Sequence, residues 1–244
     1  MLGIIRSEWT RSRVMLGTWI MLGFVLLFYI GANALTLSYY RSEYGMNEPE
    51  VDLTELGGGL MPAYLLILSL SAVRVSGTRG HNLHAQSFLV IPARWQQLFA
   101  QLFVNAALAM VTMAVAVGVS VAMMATLPQE INTDQLPLLG YTILFAGLIS
   151  LMASAIGVLI PSTAGAVVLP LVWATAVELI SQQLSQWIAD NIAPYLPFSN
   201  IWMILGNNVS FGKHDTLVSV AIVVAWTVVL VAWAFLVHQR RDVK

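Results

Sequence analysis

Long apolar runs, rather than alternation, dominate the pattern along this chain, and they match the thickness of a bilayer. About 20 consecutive apolar residues in a helix cross roughly 30 Å of hydrocarbon. Six stretches qualify: 14–37, 57–75, 98–127, 136–160, 163–180 and 217–237. Each is expected to be helical, because a backbone N–H or C=O left unpaired in lipid costs several kcal/mol. The third is long enough to tilt or to extend beyond the membrane. A run longer than a leader's apolar core weighs against the competing reading of the first, a cleaved signal segment ending near Ala34. No linker, composition shift or internal repeat divides the chain, so residues 1–244 read as one domain. The expected fold class is all-α: a polytopic membrane protein of six transmembrane helices.

The polar stretches between the runs carry the rest of the pattern. In residues 1–13, Leu2, Ile5 and Trp9 recur at helical spacing among Arg6, Glu8, Arg11 and Arg13. This suits a short interfacial helix with its apolar face in lipid, and equally a charged lead-in that only fixes topology. The segment 74–97, between the second and third runs, is far longer than a hairpin needs. Gly77 and Gly80 punctuate it, and Pro92 suits the first turn of a new helix. It reads as a short protruding helix or as a solvated connector. His81 and His84 stand at i, i+3, but two histidines without a third ligand make a poor metal site. Residues 181–215 also exceed a connector, mixing Gln182, Gln183, Gln186, Trp187 and Tyr195 with Pro194 and Pro197. Tryptophan and tyrosine favour the membrane interface.

Charge orients the bundle. With both ends inside, nine cationic residues (Arg6, Arg11, Arg13, Arg74, Arg79, Arg94, Arg240, Arg241 and Lys244) lie on the cytoplasmic side, against Arg41 and Lys213 outside. The positive-inside bias favours that arrangement and an even number of spans. Nine of the twelve acids fall outside, Glu8 and Asp242 fall inside, and Glu178 lies within the fifth run. Composition agrees with a lipid solvent: 58% of the 244 residues are hydrophobic and 9% are charged, where a soluble domain carries about 25% charged residues. A net charge of −1 without a clustered basic face gives no reason to expect a nucleic-acid partner.

Candidate chemistry is sparse. There is no cysteine, so disulfides, thiolate metal sites and cysteine nucleophiles are excluded. No G-x-x-x-x-G-K-[ST] loop occurs, and Gly57-Gly58-Gly59 lacks the lysine. No catalytic constellation can be assembled, so the chain is expected not to be an enzyme and to hold no metal or cofactor. Its energy must come from a partner or an ion gradient. Glu178 is an intramembrane carboxylate and by default a functional candidate. It either lines a path or bonds to Thr175 or Gln182 on its own helix. Small residues four apart, Ala146-Ser150-Ser154 and Ala114-Gly118-Ala122, are expected to pack within the protomer. Pro161 and Pro170 frame the start of the fifth run, where a kink is expected.

The order of features resembles the ABC-2 type permease family, the membrane subunits of bacterial ATP-binding-cassette exporters. The resemblance covers essentially the whole chain. It rests on the Leu2-to-Arg13 lead, Gly77-Thr78 followed by Pro92-Ala93-Arg94, Tyr195-Leu196-Pro197-Phe198 before the last run, and the terminal Arg240-Arg241-Asp242-Val243. The glutamate that often precedes the Gly-Thr pair is replaced by Arg74 and Val75. The resemblance implies a cytoplasmic coupling helix between Arg79 and Arg94, seated in a cleft of an ATPase subunit. Its candidate contacts are Thr78, Arg79, His81, His84, Phe88 and Arg94. Short helices after the fifth span would dip back into the outer leaflet, with Glu178, Gln182 and Trp187 as the candidate substrate path. ATP and Mg would sit on the partner ATPase, and a second permease, identical or related, would complete the pair. The implied function is export of hydrophobic or amphipathic substrates, such as drugs, peptide antibiotics or lipids, across the bacterial cytoplasmic membrane. The alternative is an ion-coupled secondary transporter without an ATPase.

Overall fold

The computed structural model describes residues 1–42, 50–80, 94–160, 162–205 and 214–240. Its helices are α1 (Leu2–Val14), α2 (Leu16–Tyr40), α3 (Leu60–Gly80), α4 (Arg94–Met124), α5 (Leu136–Leu159), α6 (Thr163–Val172), α7 (Glu178–Leu184), α8 (Gln186–Asn191), α9 (Pro197–Leu205) and α10 (Thr216–Arg240). Among the described residues, five helices are long and apolar enough to cross a membrane: α2, α3 with the turn before it, α4, α5 and α10. This is the architecture of a helical multi-pass membrane protein. The fifth expected run divides into α6, a π-helical turn over Trp173–Val177, and α7. Only Thr163–Val177 of it is apolar, which is shorter than a standard span.

α5 is the central rod. Its buried positions run continuously from Phe145 to Val158 except for Leu148 and Leu151, and α3, α4, α6 and α10 all pack on it. The peripheral helices bury one stripe each. On α2 this is Thr18, Leu22, Val25, Tyr29, Asn33 and Leu37, and on α10 it is Ser219, Val223, Thr227, Leu230, Ala234 and His238. Steps of three and four residues keep each stripe on one face. Two glycines permit the closest backbone approaches between helices. A Cβ at Gly59 would stand 2.6 Å from the Tyr29 Cα, and one at Gly157 would stand 2.9 Å from the Ala72 carbonyl oxygen.

Single polar residues inside the apolar runs pair across helices. Asn33 donates to the Ser120 hydroxyl (3.1 Å), Asn105 to that of Ser154 (3.1 Å), and Tyr64 to the Thr142 carbonyl (2.8 Å); Ser71 and Ser150 share a bond of 2.8 Å. Each such pair in a bilayer contributes only about 0.6 kcal/mol, but together they fix the rotation of α2, α3, α4 and α5. The expected small-residue rows part company here. Ala146, Ser150 and Ser154 are buried as expected, whereas Ala114, Gly118 and Ala122 are exposed on the outer face of α4. The inward stripe of that helix is instead Ala109, Met113, Ala116 and Ser120.

The chain is not wholly helical. Strands β1 (Glu50–Asp52) and β2 (Glu130–Asn132) form a parallel ladder with Glu50 opposite Glu130. Gln129 donates to the Tyr40 carbonyl (2.8 Å), and Arg41 bonds the Thr126 hydroxyl beside the ladder. The α2–α3 and α4–α5 connections therefore share one end of the bundle, as alternating crossings require. That end holds Glu50, Asp52, Glu55 and Glu130, and the opposite end holds Arg11, Arg13 and Arg74.

Candidate functional site

The least regular part of the bundle surrounds Glu178. Pro170 inside α6 has no N–H to give to the helix ladder. Three residues later the backbone widens, and the Glu178 N–H reaches the Trp173 carbonyl five residues back. One extra residue in a turn rotates all that follows by about 100° relative to an uninterrupted α-helix. Such single π-turns are frequent at functional sites. Here the rotation presents Glu178 to the start of α9.

The N-terminus of α9 needs an acceptor. Pro197 opens the helix without an N–H, and Leu196 before it has no side-chain oxygen to cap the next two amides. Glu178 supplies the cap from another segment. Its Oε1 accepts from the Phe198 N–H (3.2 Å), and its Oε2 accepts from the Ser199 N–H (2.5 Å) and the Ser199 hydroxyl (3.0 Å). The residue is 2% exposed. The negative end thus faces the positive end of a helix dipole in a place where water cannot screen it. Thr175, one of the partners expected on its own helix, instead donates to the Leu171 carbonyl.

Aromatic rings hold the returning segment down. Trp173 meets Phe198 and Trp226 edge-on, with ring centres 6.4 and 5.3 Å apart. Trp226 donates its indole N–H to the Tyr195 carbonyl at 2.8 Å. Asn200 donates to the Pro194 and Leu196 carbonyls, and Trp202 lies against Tyr64. Two short helices follow α7, and α9 is buried against α5 and α10.

Glu178 is enclosed as described. Gln182 lies on α7, and Trp187 projects from α8 with 66% of its surface exposed. Neither Glu178 nor Trp187 lines the cavity bounded by Arg11, Thr18 and Arg74 or the one bounded by Phe99, Phe103 and Phe235. Of the expected coupling contacts, Thr78 and Arg79 belong to the last turn of α3, and Arg94 opens α4. His81, His84 and Phe88 lie outside the described residues.

A polar junction at the basic end was not anticipated. α1 docks on α4 with Ile5 in the apolar cluster of Leu22, Val104 and Leu108. Its buried face continues through Glu8 and Ser12, while Trp9 is exposed. This corrects the expectation of an apolar face spent wholly on lipid. The reason is Arg74, which bonds the Ser12 hydroxyl and whose own carbonyl accepts from Gln101 at 3.2 Å. A cation near the end of a span needs partners, and α1 brings them. Burial pushes the Glu8 carboxyl above the ordinary glutamate range, and Arg11 and Arg74 partly offset that shift. The helical spacing of Ile5, Glu8 and Ser12 was the available signal.

Neither a protein-family model nor a curated protein matches the chain. The likeness to ABC-2 permeases rests on the residues and their order alone.

Proposed function

We propose that this chain is the permease subunit of an ATP-binding-cassette exporter in the bacterial cytoplasmic membrane. It crosses six times with both termini cytoplasmic, α6 with its π-turn and α7 forming the fifth crossing. At 1.5 Å per residue, the 22 residues from Thr163 to Leu184 span about 33 Å, enough for the hydrocarbon core. A separate ATPase subunit binds ATP and Mg, and a second permease, identical or related, completes the transport unit. The cargo is hydrophobic or amphipathic: a drug, a peptide antibiotic or a lipid.

The observation that supports this reading is the mounting of segment 79–94. α3 runs unbroken from its apolar span to Gly80, and α4 restarts at Arg94 and runs to Met124. Both rods pack along α5. A push on the segment is therefore delivered to the centre of the bundle by stiff elements, as a lever requires. The test is an affinity pull-down of the tagged chain from native membranes in mild detergent, followed by mass spectrometry. A P-loop ATPase should be recovered, and it should be lost when residues 79–94 are scrambled in a chain that still inserts. Repeated recovery of the intact chain alone would overturn the proposal.

One observation favours an ion-coupled carrier: a broken helix beside a buried carboxylate is a common arrangement for coupling sites. The engagement of both Glu178 oxygens by α9 weighs against it. Transport driven by a pH gradient in vesicles holding the chain alone would reverse that ranking.

A further inference from the structure

A cavity with two arginines at its edge lies at the basic end, in the angle between α1, α2 and α3. Its volume is about 360 Å³, within the range of small-molecule sites. Met15, Met21, Leu70 and Val73 make its walls, and Arg11 and Arg74 stand at one side. Two glycines keep it open: a Cβ at Gly17 or Gly77 would meet nothing within 4 Å. Packing therefore does not require glycine at either position.

Two polar groups here lack partners. Thr18 is 2% exposed, lines the cavity, and has a hydroxyl with no hydrogen-bond partner. One guanidinium nitrogen of Arg74, Nη1, is likewise buried without a partner, while Nη2 bonds Ser12. A buried donor left unsatisfied costs about 1–3 kcal/mol, so both groups call for an acceptor. Glu8 on α1 offsets part of the positive charge and is itself 3.8 Å from Arg11. Arg11 and Arg74 against Glu8 leave the site one positive charge in excess.

We infer that this cavity is a binding site for one anionic phospholipid of the leaflet at the basic end. The phosphate oxygens accept from Arg74 Nη1 and the Thr18 hydroxyl, with Arg11 nearby, and an acyl chain lies along Met21, Leu70 and Val73. The chemistry selects this occupant. A zwitterionic lipid brings a cation toward two arginines, and a free phosphate leaves the apolar walls wet. A charge-assisted bond is about twice as strong as a neutral one, so the phosphate supplies most of the selectivity. The bound lipid would cement α1 to the bundle beside segment 79–94. The site stands whether or not the chain is a permease.

The test is native mass spectrometry of the full-length chain released from micelles. It is titrated with dioleoyl phosphatidylglycerol, with dioleoyl phosphatidylcholine, and with inorganic phosphate as competitor. Phosphatidylglycerol should saturate one site about tenfold or more tighter than phosphatidylcholine. Gly17→Leu, which fills the cavity with a good helix former, and Thr18→Val, which removes only the hydroxyl, should each weaken it about tenfold while the melting temperature holds. Equal affinity for the two lipids would overturn the inference, as would no saturable site or full retention of phosphatidylglycerol in both variants. Displacement by inorganic phosphate at comparable concentration would assign a free-anion site instead and equally overturn it.

Discussion

Replacing Glu178 with glutamine changes almost no volume, yet it should uncouple α9 from the rest of the bundle. The wild-type carboxylate accepts three hydrogen bonds from α9 with its two oxygens, and the Trp173 indole also bonds to it. Glutamine has one oxygen. If that oxygen keeps both bonds from Ser199, the new NH₂ faces the Phe198 N–H, donor against donor. A buried donor without an acceptor costs about 1–3 kcal/mol, and loss of the charge at the helix N-terminus removes about 0.3–2 kcal/mol more. The expected loosening is about 1–5 kcal/mol, or a fall in local protection on the order of 10- to 3,000-fold. It should be confined to residues 197–205 and their neighbours, because the five long helices pack without this contact. Hydrogen exchange of the full-length protein in nanodiscs, followed on α9 peptides, measures it directly. If Glu178→Gln leaves α9 protection within threefold of wild type, the capping argument is wrong. If protection falls uniformly across the bundle, α9 does not open separately from the long helices.

Further outcomes are expected from the same geometry. Gly59→Ala should lower the melting temperature sharply, by the equivalent of about 1–3 kcal/mol, since its Cβ would stand 2.6 Å from the Tyr29 Cα; Gly140→Ala, with nothing within 4 Å, should be neutral or slightly stabilising. Deleting Ala174 would return the π-turn to α-register, swing Glu178 away by about 100°, and reproduce the α9 exchange defect of Glu178→Gln. Glu8 titrates above its usual range because the folded state disfavours its charge. Its contribution to α1 docking is therefore greatest below the ordinary glutamate pKa and is lost as pH rises through the raised value; protection of α1 amides, relative to their intrinsic exchange rate at each pH, should rise on acidification, and Glu8→Gln should abolish that dependence. The chain has no native cysteine, so Glu50→Cys and Glu130→Cys can be made without background. Both should label from the same side of the membrane, and together they should crosslink under oxidation.

The spans were readable because hydropathy depends on run length, and five of the six became helices within a few residues of the expected ends. The remaining one, the fifth, differs for a reason hydropathy does not sense. A π-turn changes register and not composition, so Trp173–Val177 looks like any apolar stretch, with Pro170 as the sole warning. The partner of Glu178 was hidden as well, since it is chiefly a backbone N-terminus 20 positions later, to which one serine hydroxyl adds no distinctive pattern. The β1–β2 ladder joins two three-residue pieces distant in the chain, too short for any periodicity. For Ala114, Gly118 and Ala122, spacing of four identified a shared face but not the direction it points. Asn33, Asn105 and Ser71 were visible as polar residues within apolar runs, yet only the packed bundle pairs them.

The ladder also sets an order of events during synthesis. Glu130 lies 80 positions after Glu50, so at 5–20 residues per second β1 waits about 4–16 s for its partner strand. Through that interval α2 and α3 are made but their outer connection has an open edge, and only the arrival of α4 and the start of α5 can close it. The Glu178 carboxylate faces a shorter wait, about 1–4 s, before Phe198 and Ser199 emerge. The bundle is thus completed from its N-terminal half outward. A ribosome pause placed between β1 and β2 would hold the nascent chain at the stage where its unpaired edge is most open to the wrong neighbour.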